Sequence, residues 1–359
     1  MAHFVFELTE MQLIKKLTLP VTYVESRYFP GQALKEPSNF AGILFSSSRT
    51  NTTRAYQHVP LSITVTDPDG SPVHKQPAKL GDPHFAVHTT DKSCNLTVNG
   101  SAFLASVAAE GAKLTMEGHS AGMPWGPDGE TPEGAAAYLP FLHLHWYVYS
   151  LATPVTWAFH DPQMTDEPLT GEGFAHMEKN WGRAFPDKWV WAQGMRLDRK
   201  GSQECSAKKP DSPEVVFALA GGPLPVFSPW LGRAASALPR VWLVAYHSKL
   251  SNLQWNFRPY DPTVYKVKID ACHGTFQLTA TRLRESLVIT ITASADSFAA
   301  LLCPTNTGFR NKSSHSFAAE GHIEAYMYHV WPLSHAGWQL IEAQDISNVA
   351  LEFGGQYRC

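Results

Sequence analysis

Charge is scarce in this sequence. Asp, Glu, Lys and Arg make up 17% of its 359 residues, where soluble domains carry roughly 25%. The net charge is −3 and the pI is near 6.6. No basic run exists; the nearest thing is a short loop around Lys208 and Lys209. Nucleic acid and anionic membrane surfaces are therefore not expected partners. No stretch approaches the roughly 18 apolar residues that span a bilayer. The first residues carry Glu7 and Glu10 inside their apolar part and do not read as a signal peptide. Four glycosylation sequons, at Asn51, Asn95, Asn99 and Asn311, leave a removed signal open, so localisation is not set. Cysteine is sparse as well: Cys94, Cys205, Cys272, Cys303 and Cys359, none in CxxC spacing. They read as mostly free thiols, with room for one disulfide. No Gly-x-Ser-x-Gly elbow, P-loop or dinucleotide glycine fingerprint occurs, so hydrolase, NTPase and dehydrogenase readings lack a motif. Helical periodicity is weak; only Ser228–Ala237 and the first fifteen residues read as short helices.

What is present is β-strand signal and tryptophan. Short alternating or apolar runs recur, among them Leu61–Thr66, Ala102–Val107, Leu142–Ser150, Val155–Phe159, Lys188–Met195, Val241–Tyr246 and Leu287–Thr292. Between runs fall turn signals such as Asp67-Pro-Asp-Gly70, Gly221-Gly-Pro223 and Gly354-Gly355. Such punctuation predicts an all-β chain of antiparallel barrels or sandwiches with few short helices. The length calls for two domains or one large barrel assembly. The Pro- and Gly-rich segment Pro162–Gly173 sets the expected boundary, giving domains 1–163 and 164–359. The region Pro223–Pro239 reads equally as a lid or a plain surface loop.

The densest segment is His176–Gln193, HMEKNWGRAFPDKWVWAQ, with three of the chain's 11 Trp. Strand side chains alternate faces, so Trp189, Trp191 and Gln193 share one face and Val190 and Ala192 the other. That Trp face is either core or the wall of a pocket for a conjugated or cationic ligand. Glu178 and Lys179, adjacent on a strand, point to opposite faces, and one should face inward. A buried Glu178 donates a proton, a buried Lys179 stabilises an oxyanion, and a structural salt bridge is the plain alternative. On a second strand His143, His145, Tyr147 and Tyr149 share a face opposite Leu144, Trp146 and Val148. His-x-His can chelate zinc, but no third ligand is near, so no metal is expected. A third strand puts His322, Glu324, Tyr326 and Tyr328 on one face, either as polar pocket lining or as an ordinary exposed face.

The run Glu178-Lys179-Asn180-Trp181-Gly182, then Phe185-Pro186, then Trp189, Trp191 and Gln193, resembles the signature of the tocopherol cyclase family. Gly171-Glu-Gly173-Phe174 and Leu139-Pro140-Phe141 also fit it. The family's Glu-Cys-Tyr-His-Gly stretch is replaced here by His143-Leu-His-Trp-Tyr147, which looks closer to fungal members of the superfamily, some similar to Diels–Alderases and hetero-Diels–Alderases. The resemblance implies two lipocalin-like halves. It also implies a cofactor-independent cyclase of a hydrophobic terpenoid or polyketide-terpenoid substrate, acting by cycloaddition or by proton-initiated closure. Glu178, Lys179, Asn180, Gln193 and His145 are the expected catalytic groups. Trp181, Trp189, Trp191, Trp146, His143, Tyr147 and Tyr326 are the expected substrate contacts. A non-catalytic lipocalin-type carrier of a hydrophobic metabolite is the competing class. Oligomeric state is not set by the sequence.

Overall fold

The computed structural model describes strand backbone within residues 2–89 and most of residues 92–359. Outside the described residues lie 119–121, 127–129, 139–143, 183–185, 198–212, 224–239, 306–307, 331–335, a few single positions and the side chains of Lys179 and Trp181. Among the described residues the chain is antiparallel strand with two short 3-10 turns, Gly134–Tyr138 and Ala295–Ser297. The all-β expectation holds. No described helix is long and apolar enough to cross a membrane.

The chain forms two compact units, the first chiefly Met1–Phe185, the second chiefly Pro186–Asp198, Pro213–Ala300 and Lys312–Cys359. The first unit contains β1 (Ala2–Glu10), β2 (Leu17–Val24), β3 (Phe40–Ser47), β4 (Thr52–His58), β5 (Ile63–Thr66), β6 (His84–Thr89), β7 (Cys94–Asn99), β8 (Ala102–Ala109), β9 (Ala112–Gly118), β10 (Leu144–His160) and β11 (Leu169–Gly182). They make one 11-stranded sheet in the order β4-β3-β2-β1-β11-β10-β9-β8-β7-β6-β5. It is a meander, except that β1 returns to pair with β11. The sheet rolls so that β3 and β4 approach β8.

Two expectations are corrected here. The first residues form β1 rather than a helix, because a strand on each side takes up the backbone donors and acceptors of Ala2–Glu10. The unit boundary falls after Phe185 rather than after residue 163, because β11 is hydrogen-bonded between β1 and β10. Composition marks the loop before β11, while the pairing that decides its unit is non-local.

Strand β10 joins the two runs expected at Leu142–Ser150 and Val155–Phe159. Its register against β11 slips between Val148 and Ser150 and again between Ser150 and Thr153, while β11 stays regular against β1. Each slip leaves one extra residue on β10 and turns its side chains over, so the second restores the facing that the first reversed. Past the slips, Val155, Trp157 and Phe159 stand opposite Gly118, Met116 and Leu114 on β9. These pack with Leu96, Val98, Phe103 and Val107 as the unit's buried apolar side. Before the slips, Trp146 and Val148 stand opposite Asn180 and Glu178, on the other face of β11 from Gly171 and Gly173.

The second sheet contains β12 (Lys188–Arg196), β13 (Val215–Pro223), β14 (Arg240–Ser248), β15 (Leu253–Phe257), β16 (Thr263–Asp270), β17 (Thr275–Arg282), β18 (Glu285–Thr292), β19 (Ala299–Thr305), β20 (Gly308–His329) and β21 (Gly337–Gly355), all of the second unit except Leu301–Asn311, which groups with the first. The order is β15-β14-β13-β12-β21-β20-β18-β17-β16, with β19 on β20 off this path. Its core draws on both ends of that order, including Phe217, Trp242, Phe257, Phe276, Leu278, Ile289, Ile323 and Phe353. The end strands meet through side chains: Tyr265 donates its hydroxyl to the Trp242 carbonyl at 3.0 Å, and Arg282 donates to the Asn256 carbonyl at 2.8 Å.

Two glycine pairs expected to mark turns belong partly to strands. Gly221 and Gly222 lie inside β13, and a methyl group on Gly221 would overlap the Trp242 ring. Gly354 lies inside β21 beneath the Trp189 ring, while Gly355, with φ +62°, ends that strand. In each case an indole occupies the space a side chain would need.

Cys272 and Cys359 form a disulfide across a separation of 87 residues, and Cys303 is a buried thiol. Closing so long a loop removes much of the unfolded chain's freedom. Cys359→Ser is expected to lower stability by roughly 2–5 kcal/mol. Urea unfolding of both proteins measures it; coincident midpoints would contradict the expectation.

Candidate functional site

Buried polar side chains concentrate in both units, and each unit is described by itself. In the first, His176, Glu178 and Asn180 alternate along one face of β11 with relative exposures of 0%, 1% and 8%. Residues two apart on a strand are neighbours on one face, and these three hydrogen-bond in a row. Glu178 Oε2 lies 3.0 Å from His176 Nε2, and Glu178 Oε1 accepts from Asn180 Nδ2 at 3.3 Å. One carboxylate is thus held by an imidazole and an amide of its own strand. A His–Glu pair sealed from water can hold a proton and pass it to a bound group.

Trp146 stands beside this row, directly opposite Asn180. Its ring meets Trp125 edge-on, with centroids 5.0 Å apart at 77°. Glu133, just ahead of the Gly134–Tyr138 turn, fixes the start of β10. It accepts from the Trp146 backbone N–H at 2.7 Å and lies 2.9 Å from His145 Nδ1. His145 is therefore engaged with Glu133, and its strand parity separates it from the Glu178 row. Tyr147 shares the His145 parity, and its ring lies 4.6 Å from that of Tyr149. Burial raises the pKa of the Tyr147 phenol. His143 lies outside the described residues.

In the second unit β12 is buried on both faces. Val190 and Ala192 join the core cluster. Trp189, Trp191 and Gln193 are buried on the opposite face, outside that cluster, so the Trp pair shares a face as alternation requires. The Trp189 indole N–H donates to Glu352 Oε1 at 2.8 Å. His315 Nε2 lies 3.1 Å from the same oxygen and 3.1 Å from Ser313 Oγ. Ser313, His315 and Glu352 resemble a relay in composition only. Both partners meet the same ring nitrogen, whereas a relay uses the two nitrogens separately.

A further carboxylate, Glu342, accepts from Tyr246 at 2.7 Å, Ser248 at 2.9 Å, Ser251 at 3.0 Å and Gln344 at 3.3 Å. Arg196 in turn donates to Gln344. Burial, then the Glu342 hydrogen bond, pushes the Tyr246 phenol well above its ordinary range. Such a fully donated carboxylate reads as a structural polar plug.

Tyr326 is a correction. Ile323 and Ala325 fill the core, which leaves His322, Glu324 and Tyr326 on the outer face of β20. There His322 pairs with Asp345 at 2.6 Å and with Glu324 at 3.8 Å. The exposed strand face prevails over a polar pocket lining. Sequence reading also assigned no role to His176, Glu133, His315 or Glu352. His176 was detectable, since it shares parity with Glu178. The others are brought in from 12 to 163 residues away, beyond any local pattern.

No family model matches the sequence, and no curated protein matches it. Solved structures do. Kievitone hydratase from Nectria haematococca superposes with a TM-score of 0.53 at 7% identity, covering 99% of this chain and 88% of that one. CghA superposes with a TM-score of 0.53 at 13% identity, covering 98% of this chain and 87% of that one. At such identities the likeness is one of fold, and it extends over both units. The tocopherol cyclase resemblance rests on the Glu178–Gln193 motif.

Two outcomes follow from these contacts. The Asp345 hydrogen bond raises the His322 pKa above its ordinary 6.5. The pair's small contribution to stability is complete below about pH 6.5 and fades as pH rises through the raised value. Asp345→Asn is expected to lower the His322 midpoint in an NMR titration. Gly354→Ala, which drives a methyl group into the Trp189 ring, is expected to destabilise the chain by about 2–4 kcal/mol. Thermal unfolding and a changed tryptophan emission spectrum report it.

Proposed function

We propose that the chain is a cofactor-independent cyclase of secondary metabolism, closing a ring in a hydrophobic terpenoid or polyketide-terpenoid substrate at the Glu178 row. One observation carries this reading: a carboxylate buried against an imidazole and an amide beside an indole. The fold shared with kievitone hydratase, an enzyme named for hydration, favours alkene protonation chemistry, since hydration and ring closure differ in the nucleophile that follows.

In the proton-initiated form, the His176–Glu178 pair gives its proton to an alkene carbon. A phenol oxygen attacks the resulting cation, forming the C–O bond, and the phenolic proton returns to the pair. Asn180 keeps Glu178 oriented. Trp146 provides an apolar wall that holds the substrate folded and lowers the entropic cost of closure. In the cycloaddition form no proton moves, and the same donors polarise a carbonyl. Lys179 has the opposite parity to Glu178 on β11, so alternation leaves the row's chemistry to His176, Glu178 and Asn180.

Purified protein incubated with a linear prenylated phenol, and separately with a diene–enone precursor, tests the reading by product chromatography. Turnover above the buffer control is expected; a rate equal to buffer would sink the enzyme and leave a carrier. Glu178→Gln is expected to slow proton-initiated closure by about a hundredfold or more. Unchanged turnover of the diene–enone by this variant would instead favour cycloaddition.

A further inference from the structure

The indole N–H of Trp146 is buried and meets no acceptor among the described residues. A buried donor without a partner costs free energy, and buried tryptophans ordinarily find one. Two other buried indoles share the condition, Trp157 and Trp242. Their settings differ. Trp157 lies over Gly171 among apolar side chains, and Trp242 sits over Gly221 within the hydrophobic cluster. Trp146 alone of the three stands directly opposite a buried amide, Asn180, one strand position from the Glu178–His176 pair.

The neighbouring carboxylates are engaged elsewhere. Glu178 is held by His176 and Asn180, and Glu133 by the Trp146 backbone N–H and His145. The same contacts fix the strand that carries Trp146, and its ring packs edge-on against Trp125. A fixed donor on an apolar ring, beside a row that can move a proton, has the character of a recognition group.

We propose that Trp146 Nε1–H binds a neutral oxygen of the ligand, a conjugated carbonyl or a phenol carried on an unsaturated carbon skeleton. This rests on reading the Glu178 row as the substrate site. A neutral oxygen fits because the donor is uncharged. Two carboxylates, Glu178 and Glu133, stand close by on the same strands or against them and disfavour a phosphate or carboxylate ligand. The indole pair Trp146 and Trp125 suits a flat conjugated skeleton. Trp146 is thereby a specificity residue that distinguishes oxygenated substrates from bare hydrocarbons.

The test uses the full chain and two probes of matched shape, 1,4-naphthoquinone and naphthalene, with affinities from calorimetry. The wild-type chain is expected to prefer the quinone by roughly tenfold, about one hydrogen bond's worth. Trp146→Phe should reduce that preference to near unity while naphthalene binding changes little. A second readout needs no variant. The Trp146 indole proton, assigned through its proximity to the Trp125 ring, should move downfield with quinone and stay in place with naphthalene. Equal wild-type affinity for the two probes, or an unmoved indole proton, overturns the assignment. So does a preference that survives in Trp146→Phe. Glu178→Gln should keep the quinone preference. Preference retained with turnover lost separates the two proposals, because it upholds Trp146 as the oxygen-binding group whatever the chemistry at Glu178.

Discussion

A strand buried on both faces leaves its polar side chains no water to turn to, and much of this molecule follows from that constraint. Over Gly173–Glu178, β11 is buried on either side, and β12 is buried through its interior. Each carries polar groups that must be satisfied within the protein. On β11 the answer is local: Glu178 takes its donors from residues two positions away on the same strand. In the second unit it is remote: Trp189 finds Glu352 on β21, and His315 on β20 shares the same oxygen. The same rule gives Glu342 its several donors.

Alternation along β10 decides what accompanies the β11 row. Trp146 and Val148 lie an odd number of residues from Trp157 and Phe159, so alternation already sets them on opposite faces, and the two one-residue slips cancel and leave that division in place. An indole and a small aliphatic side chain line the face that holds the carboxylate, while Val155, Trp157 and Phe159 on the far half of the same strand fill the apolar interior. One strand thus serves two environments, one on each of its faces. Glu133 holds the Trp146 backbone at the strand's beginning.

The strand content was legible because alternation and turn residues are local signals. The shared face of Trp189, Trp191 and Gln193 was legible for the same reason, as was that of Glu178 and Asn180. What escaped was non-local. The pairing of β11 with β1 and β10 shows that it belongs to the first unit, and the pairing of β1 with β11 and β2 that the first residues are a strand. Gly221 and Gly354 looked like turns because the sequence does not show the indole above each one. Tyr326 looked like a pocket residue because alternation gives two faces without saying which is inside. The disulfide partners, 87 residues apart, carry no local mark of each other.

The pairing of Ala2 with Trp181 has a consequence in time. At ribosomal speeds of about 5–20 residues per second, β1 is made on the order of ten to thirty seconds before its partner β11. During that interval one edge of β1 is open to other strands, a hazard for a chain rich in exposed β-pairing surface. The central ladder of the first unit closes only when its last strand arrives. That unit is then expected to fold late and as a whole, so that synthesis, rather than local propensity, sets when the buried row on β11 comes into being.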